Sequence, residues 1–252
     1  MSPRISNKTL QKHLMSWYEE EKREMPWRKN LDPYRILVSE FMLQQTQVKT
    51  VIPYFSRWMK SFPTLKKLAQ AKETTVLKHW EGLGYYSRAR NLRKAAQIML
   101  QDHSGKVPQS IDEILKLPGV GRYTAGAVLS IAFGKKVPVL DGNVKRVLAR
   151  LFTLQENGAT RKSENILWDT MHSLLPETEP GNFNQAFMEL GATVCLPQNP
   201  LCLLCPLKRG CLARKSGEQS LYPPRKQPTP TIKIDVSAGV IFKRDKIFIQ
   251  KR

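Results

Sequence analysis

The stretch LPGVGRYTAG, Leu117 to Gly126, places three glycines and a proline directly before an apolar run with helical spacing. On its N-terminal side, SIDEILKL begins with Ser110 and has Glu113 three residues later, which predicts a capping box and a helix over 110–116. On its C-terminal side, RYTAGAVLSIAFG repeats its apolar residues with the period of a second helix. The pattern is therefore helix, glycine hairpin, helix, over about 110–133. Glycine permits positive φ and lets a backbone come close to another surface. A helix starting straight after such a turn presents unpaired N–H groups and the positive end of its dipole, which together suit a phosphate. Arg122 adds charge at the same place. A tight turn between two packed helices would use the same glycines.

Outward from this hairpin, the first two hundred residues read as helices. Asp32-Pro33 is an N-cap followed by a first-turn proline, and Ile36, Leu37, Phe41 and Met42 then share one helical face. TLKKLAQAKETTVLKHW predicts one helix, ended by the glycines of EGLGYY. Further helices are predicted in SRARNLRKAAQIML, NVKRVLARLF, SENILWDTMHSLL and NFNQAFMELGATVC. No alternating strand pattern precedes the last twenty residues, so the fold class is all-α. After Cys211 the texture changes. RKSGEQSLYPPRKQPTPT reads as a linker, and KIDVSAGVIFKRDKIFIQKR as a β hairpin that breaks off in mid-pattern. A lone hairpin is marginal in water. The expected organisation is a helical domain over 1–213, a linker over 214–232, and over 233–252 the start of a further domain.

The chain of 252 residues carries 41 Lys and Arg against 21 Asp and Glu, a formal charge of +20. Such an excess favours a polyanionic partner, nucleic acid first. No apolar run is long enough for a membrane span, and the first residues lack the apolar core of a secretion leader. The expected location is intracellular and cytoplasmic, against nucleic acid, with thiols reduced.

Cys195, Cys202, Cys205 and Cys211 are the only cysteines, with gaps of six, two and five residues. Four soft thiolates so clustered suit Zn²⁺ or an iron–sulfur cluster. Lys208 and Arg209 lie in the same loop, so a structural centre shaping a basic loop is the expected role.

LPGVGRYTAGAV, followed about twenty residues later by VPVLDGNVKRVLAR, resembles the helix-hairpin-helix motif and catalytic segment of the DNA glycosylases related to endonuclease III. The cysteine spacing resembles the [4Fe-4S] loop of that family, which implies such a cluster on 195–211. The resemblance also implies two helical subdomains with double-stranded DNA across the cleft between them. Where endonuclease III-like members place a Schiff-base lysine after LPGVGR, this chain has Tyr123, which cannot form that adduct. SEFMLQQTQV (39–48), PWR (26–28), EGLGYYSRARNL (81–92) and FNQAFMELGATVC (183–195) are similar to the MutY-type adenine glycosylases. Their C-terminal domain is MutT-like, which fits the linker and hairpin.

That resemblance implies a substrate: adenine mispaired with 8-oxoguanine or guanine in duplex DNA, attacked by a monomer. It assigns Glu40 as the acid that protonates the base and Asp141 as the carboxylate facing the sugar cation. Asn143 and Tyr123 would assist them. Trp27, Arg28, Leu43 and Gln185 would line the adenine pocket, with an amide at 185 where some relatives carry a glutamate. Tyr85 would wedge into the base stack, and Gln45 would fill the gap left by the extruded base. Thr46 and Leu83 would face the opposite base. Gly119, Val120, Gly121 and Arg122 would meet the phosphates. Without the resemblance, Glu40 reads as a solvated helical residue, Asp141 as an N-cap of NVKRVLARLF, and Trp27 and Tyr85 as core aromatics. Two rivals remain at this stage: a glycosylase/lyase for oxidised pyrimidines, which Tyr123 opposes, and a non-catalytic DNA-binding module, which would not need both carboxylates.

Overall fold

The computed structural model describes residues 5–155, 160–224, 233–235 and 239–248. Among them the chain is helical except for one short hairpin. Two cores organise the helices. The first is built from α2 (Pro33–Leu43), α3 (Val48–Ser61), α4 (Leu65–Gln70), α5 (Glu73–Trp80), α6 (Ser87–Asp102) and α7 (Ile111–Ile114), around Phe41, Phe55, Trp58 and Trp80. The second combines α1 (Asn7–Glu21) with α9 (Gly142–Phe152), α10 (Arg161–Leu174) and α11 (Pro180–Thr193), around Leu14, Leu148, Phe183 and Phe187. Helix α8 (Arg122–Phe133) serves both: Ala125, Val128 and Leu129 face the first core and Ala127 the second.

The local signals explain several boundaries. Asp32 accepts from the Tyr34 and Arg35 N–H groups at 2.8 and 3.3 Å, with Pro33 in the first turn of α2. Helix α2 is buried almost all round because α3, α6 and α8 surround it. Asp141 caps α9 by accepting from the Val144 N–H at 2.7 Å. Helix α1 lacks a long apolar sequence signal and is held from a distance. Asn7 Nδ2 and Gln11 Nε2 donate to the Ser173 and Leu174 carbonyls at the end of α10, at 3.1 and 2.9 Å.

Three local expectations are corrected. The stretch expected as one helix over 64–80 is broken into α4 and α5. Ala71 and Lys72 are extended between them, and the Ala71 carbonyl accepts from Arg93 Nε of α6 at 2.7 Å. The break lets both short helices lay their apolar residues on α6. The helix expected over 110–116 is the single turn α7, followed by turns. Its capping box does not form: Ser110 accepts no cap bond, since this turn begins in solvent and water can meet its N–H groups.

Of the stretch read as a linker, the described part packs on the helical body. Helix α12 (Leu212–Ser216) and a 3₁₀ turn (Gln219–Leu221) return to α9, where Arg150 Nε donates to the Gln219 and Tyr222 carbonyls at 2.9 and 3.0 Å. Residues 225–232 lie outside the described residues. The hairpin pairs β1 (Phe242–Lys243) with β2 (Lys246–Ile247) in antiparallel register, Phe242 opposite Ile247.

Candidate active site

A hollow of about 770 Å³ opens between the two cores. Five separate pieces of backbone bring residues to it: the 3₁₀ turn Pro26–Arg28, the end of α2 with the 44–49 turn, the first turn of α8, the first turn of α9, and one face of α11. Glu40, Tyr123, Asp141 and Asn143 all line it, as do Trp27, Arg28, Leu43 and Gln185. Gln45 and Thr46 stand at the same hollow. Leu83, Tyr85 and the hairpin residues Gly119 to Arg122 are not part of its wall.

Glu40 is only 5% exposed. Its Oε2 is buried with no hydrogen-bond partner among the described residues. Burial pushes its pKa up to about 7. The Tyr123 hydroxyl and Arg28 pull in the opposite direction, and Asp141 adds to the rise. Asp141 is also raised, first by burial, while the Val144 N–H and the Asn143 side chain oppose the rise. Asn143 Nδ2 donates to Asp141 Oδ2 at 3.0 Å. Both Asp141 oxygens are thus held by its own helix terminus. The Tyr123 phenol is raised well above its ordinary value by burial and by the two carboxylates, so it stays a neutral donor. Its oxygen lies 3.2 Å from Met188 Sδ.

Several residues of the site escaped the sequence reading. Glu189 of α11 is buried and reaches both Arg23 Nε and Arg28 Nη2, the latter at 2.9 Å. Burial would raise its pKa, but the two guanidiniums hold it below the usual carboxylate range. Arg28 Nη1 also donates to the Arg23 carbonyl at 2.9 Å. Arg146, one turn into α9, donates to Asn143 Oδ1 and to the Gly191 carbonyl at 2.8 Å each, and its Nε to the Cys195 carbonyl at 2.8 Å. No sequence signal pairs Glu189 with Arg23, because 166 residues separate them. The Arg146 side chain sits one turn after Asn143, a spacing that could have been noticed.

The hairpin requires glycine at position 119 but not, on backbone or packing grounds, at position 121. Gly119 has φ 78°, and a Cβ there would lie 2.8 Å from Phe41 Cε1 and 2.9 Å from Asn91 Cβ. Gly121 has nothing within 4 Å of a Cβ position, so packing does not require it. It precedes α8, whose first turn has no side-chain cap. Val120 is buried in the first core. The Arg122 guanidinium lies 4.2 Å from the centroid of the Trp168 ring on α10. Tyr85 is 65% exposed, and both it (φ 46°) and Gln45 (φ 56°) adopt left-handed backbone.

The four cysteines line one small pocket with Arg150, Lys208 and Gln219. Arg150 Nη1 lies 3.5 Å from Cys195 Sγ and donates to the Leu196 carbonyl at 2.6 Å, and its Nη2 donates to the Pro197 carbonyl at 2.9 Å. Gln219 Nε2 lies 3.8 Å from Cys202 Sγ. An all-sulfur donor set with N–H groups aimed at sulfur fits an iron–sulfur cluster. Among the described residues no group of three or more His, Cys, Asp or Glu side chains is arranged to hold a metal ion. Also among them, no helix is long and apolar enough to cross a membrane.

Comparison with known proteins gives this geometry its context. Residues 38–172 match the profile described as "HhH-GPD superfamily base excision DNA repair protein". The chain is 49% identical over 215 residues to an adenine DNA glycosylase of Rattus norvegicus, covering 82% of this chain and 42% of that protein. It is 39% identical over 240 residues to one of Buchnera aphidicola, covering 95% of this chain and 68% of that protein. It thus spans about two fifths of the length of the rat relative. Among solved structures, a thermostable thymine-DNA glycosylase superimposes with a TM-score of 0.77 at 28% identity, covering 83% of this chain and 97% of the other. A trapped endonuclease III–DNA covalent intermediate superimposes with a TM-score of 0.70 over 84% of this chain and 99% of the other, at 24% identity, a likeness of fold alone.

Proposed function

The chain belongs to the HhH-GPD superfamily of base excision DNA repair proteins and, within it, to the adenine DNA glycosylase family, and on that premise we propose that it hydrolyses the N-glycosidic bond of adenine mispaired with 8-oxoguanine or guanine in duplex DNA. The observation that carries the reading is one hollow in which Glu40 and Asp141 stand in unlike surroundings, while the third carboxylate there, Glu189, is already paired with Arg23 and Arg28. Glu40 has an unpartnered buried oxygen, while Asp141 is held on both oxygens. Carboxylates pushed to different roles by their environments are the working parts of glycoside hydrolysis.

Adenine inside a duplex is out of reach and must be turned into the hollow. There the Glu40 carboxyl gives its proton to adenine N7 as the N9–C1′ bond breaks, and the bonding pair leaves with the base. Ionised Asp141 faces the positive charge that develops at C1′. Water adds to C1′, and its proton passes to the Glu40 carboxylate, restoring the acid. Asn143 and Val144 N–H hold Asp141 in place, and Tyr123 supplies a neutral hydroxyl between the two carboxyl groups. Trp27, Arg28, Leu43 and Gln185 enclose the base, with Arg28 kept in position by Glu189.

At the rim, Tyr85 and Gln45 enter the base stack, and Thr46 and Leu83 turn to the opposite base. The uncapped N–H groups after Gly121 meet a phosphate, aided by the charge of +20. Cys195, Cys202, Cys205 and Cys211 hold a [4Fe-4S] cluster whose part is structural, since Arg150 ties their loop to α9.

The test is an excision assay on duplexes containing A:8-oxoguanine, A:G, A:T and oxidised pyrimidines. Adenine release from the first two, with strand breaks appearing only after alkali, is the expected result. Strand nicking without alkali that persists through purification would overturn it in favour of a lyase.

A further inference from the structure

Arg88 lies beneath the two loops that carry Gln45 and Tyr85, and it is only 7% exposed. Its Nη1 donates to the carbonyls of Phe41 (3.2 Å), Met42 (2.9 Å) and Gln44. Its Nη2 donates to Thr46 Oγ1 (3.1 Å) and to the carbonyls of Leu83 (3.1 Å) and Gly84 (3.2 Å). One guanidinium therefore collects the C-terminal carbonyls of α2 and the turn before α6. The guanidinium also lies 5.3 Å from the Trp80 ring centroid and 5.6 Å from that of Tyr85. Its Nε is buried with no partner among the described residues, so the side chain is placed to satisfy the fork at the expense of its own stem.

We propose that Arg88 is a positioning residue that fixes the Gln45 and Tyr85 loops as one rigid unit, so that both side chains enter the DNA stack together. Gln45 and Tyr85 both stand in left-handed backbone, a conformation that costs free energy unless neighbours impose it. Arg88 bonds both segments: Nη1 holds the end of α2 and Gln44, and Nη2 spans from Thr46 to the Leu83 and Gly84 carbonyls. A planar fork can serve two sets of carbonyls at once, whereas an ammonium is a point donor. This inference rests on the excision reading above, since it assigns Arg88 to base extrusion and leaves the proton chemistry to Glu40.

The test uses the whole chain and the variant Arg88→Lys. Three quantities are measured: single-turnover adenine excision, its pH midpoint, and the fluorescence rise of 2-aminopurine placed at the adenine position when protein binds. The expected result is a rate lower by on the order of tenfold to a hundredfold, a fluorescence rise reduced alongside it, and an unchanged pH midpoint. An intact fluorescence rise, or a moved pH midpoint, overturns the proposal, because the loss then lies in the chemistry or the general fold. If the wild-type protein excises no adenine, the glycosylase reading fails, and the fluorescence arm still decides the role of Arg88. If Arg88→Lys does not fold, hydrogen exchange on the wild-type protein takes its place. The Thr46 and Leu83 amides, bonded to the Leu43 and Trp80 carbonyls, should open with one common free energy. Separate openings overturn the proposal.

Discussion

Asn143 and Asp141 are bonded to each other at the head of one helix, with Asn143 Nδ2 3.0 Å from Asp141 Oδ2 while Asp141 Oδ1 accepts from the Val144 N–H. The carboxylate that would face the sugar is therefore also an N-cap, and the two roles can be separated by substitution. Asparagine is as good a cap as aspartate. Asp141→Asn is expected to keep stability within about 1 kcal/mol and to keep duplex binding, while adenine release is abolished. A thermal melt, a binding titration and an excision assay check it, and excision at the wild-type rate would refute the role of Asp141.

Glu40 predicts a pH dependence of stability. Its folded pKa of about 7 lies above the ordinary 4.5. Below the ordinary value both states hold the proton and no difference exists. Between there and about 7 the unfolded chain loses the proton first, so stability falls as pH rises, by on the order of a few kcal/mol. Glu40→Gln removes this loss. Chemical denaturation at a series of pH values should find the variant matching the wild type in acid, gaining on it between about pH 4.5 and 7, and keeping a constant advantage above that. The same acid must be protonated to act, so wild-type excision should decline as pH rises through 7.

Glu189 joins Arg23 and Arg28 from a helix far along the chain. Replacing it with glutamine leaves two cations without their counter-ion. Arg23 is partly exposed, so the expected cost is moderate, about 1–3 kcal/mol. Arg28 should also lose its fixed position, and excision should slow more than duplex binding weakens. Equal loss in both would mean that Glu189 only supports the fold.

Two glycines two residues apart should respond differently. Gly119→Ala meets positive φ and the Phe41 and Asn91 side chains, and should cost more than about 1–2 kcal/mol. Gly121→Ala has free space and ordinary φ, and should change stability by less than about 0.5 kcal/mol. Duplex affinity should nevertheless fall in Gly121→Ala, because a methyl group would stand before the uncapped end of α8. Unchanged affinity would show that no phosphate comes close there.

The four cysteines give a spectroscopic test. Purified protein should contain iron and sulfide, with broad absorbance near about 400 nm. Cys205→Ser should lose that band and weaken the whole 195–222 segment docked on Arg150. Zinc bound in place of iron would overturn the assignment.

Short-range information determined much of this protein. Helix caps, the glycine hairpin, the thiol spacing and the excess of Lys and Arg all act over a few residues or over composition, and a sequence carries such features openly. Asp32, Asp141 and Gly119 stand in the structure as their neighbours in sequence imply. The resemblance built on the same motifs named Glu40, Tyr123 and Asp141, and folding brings all three to one hollow. What tertiary structure alone decided is whatever depends on packing between distant segments. The first helix joins the C-terminal core. One predicted helix breaks into two so that both halves reach α6, and Arg122 lies on Trp168. Glu189 finds Arg23, and Arg88 gathers carbonyls from two loops. The physical reason is common to all of these. A buried charge or an unsatisfied carbonyl is satisfied by whichever partner the folded chain brings near, and chain separation of tens to hundreds of residues leaves no local pattern to announce it.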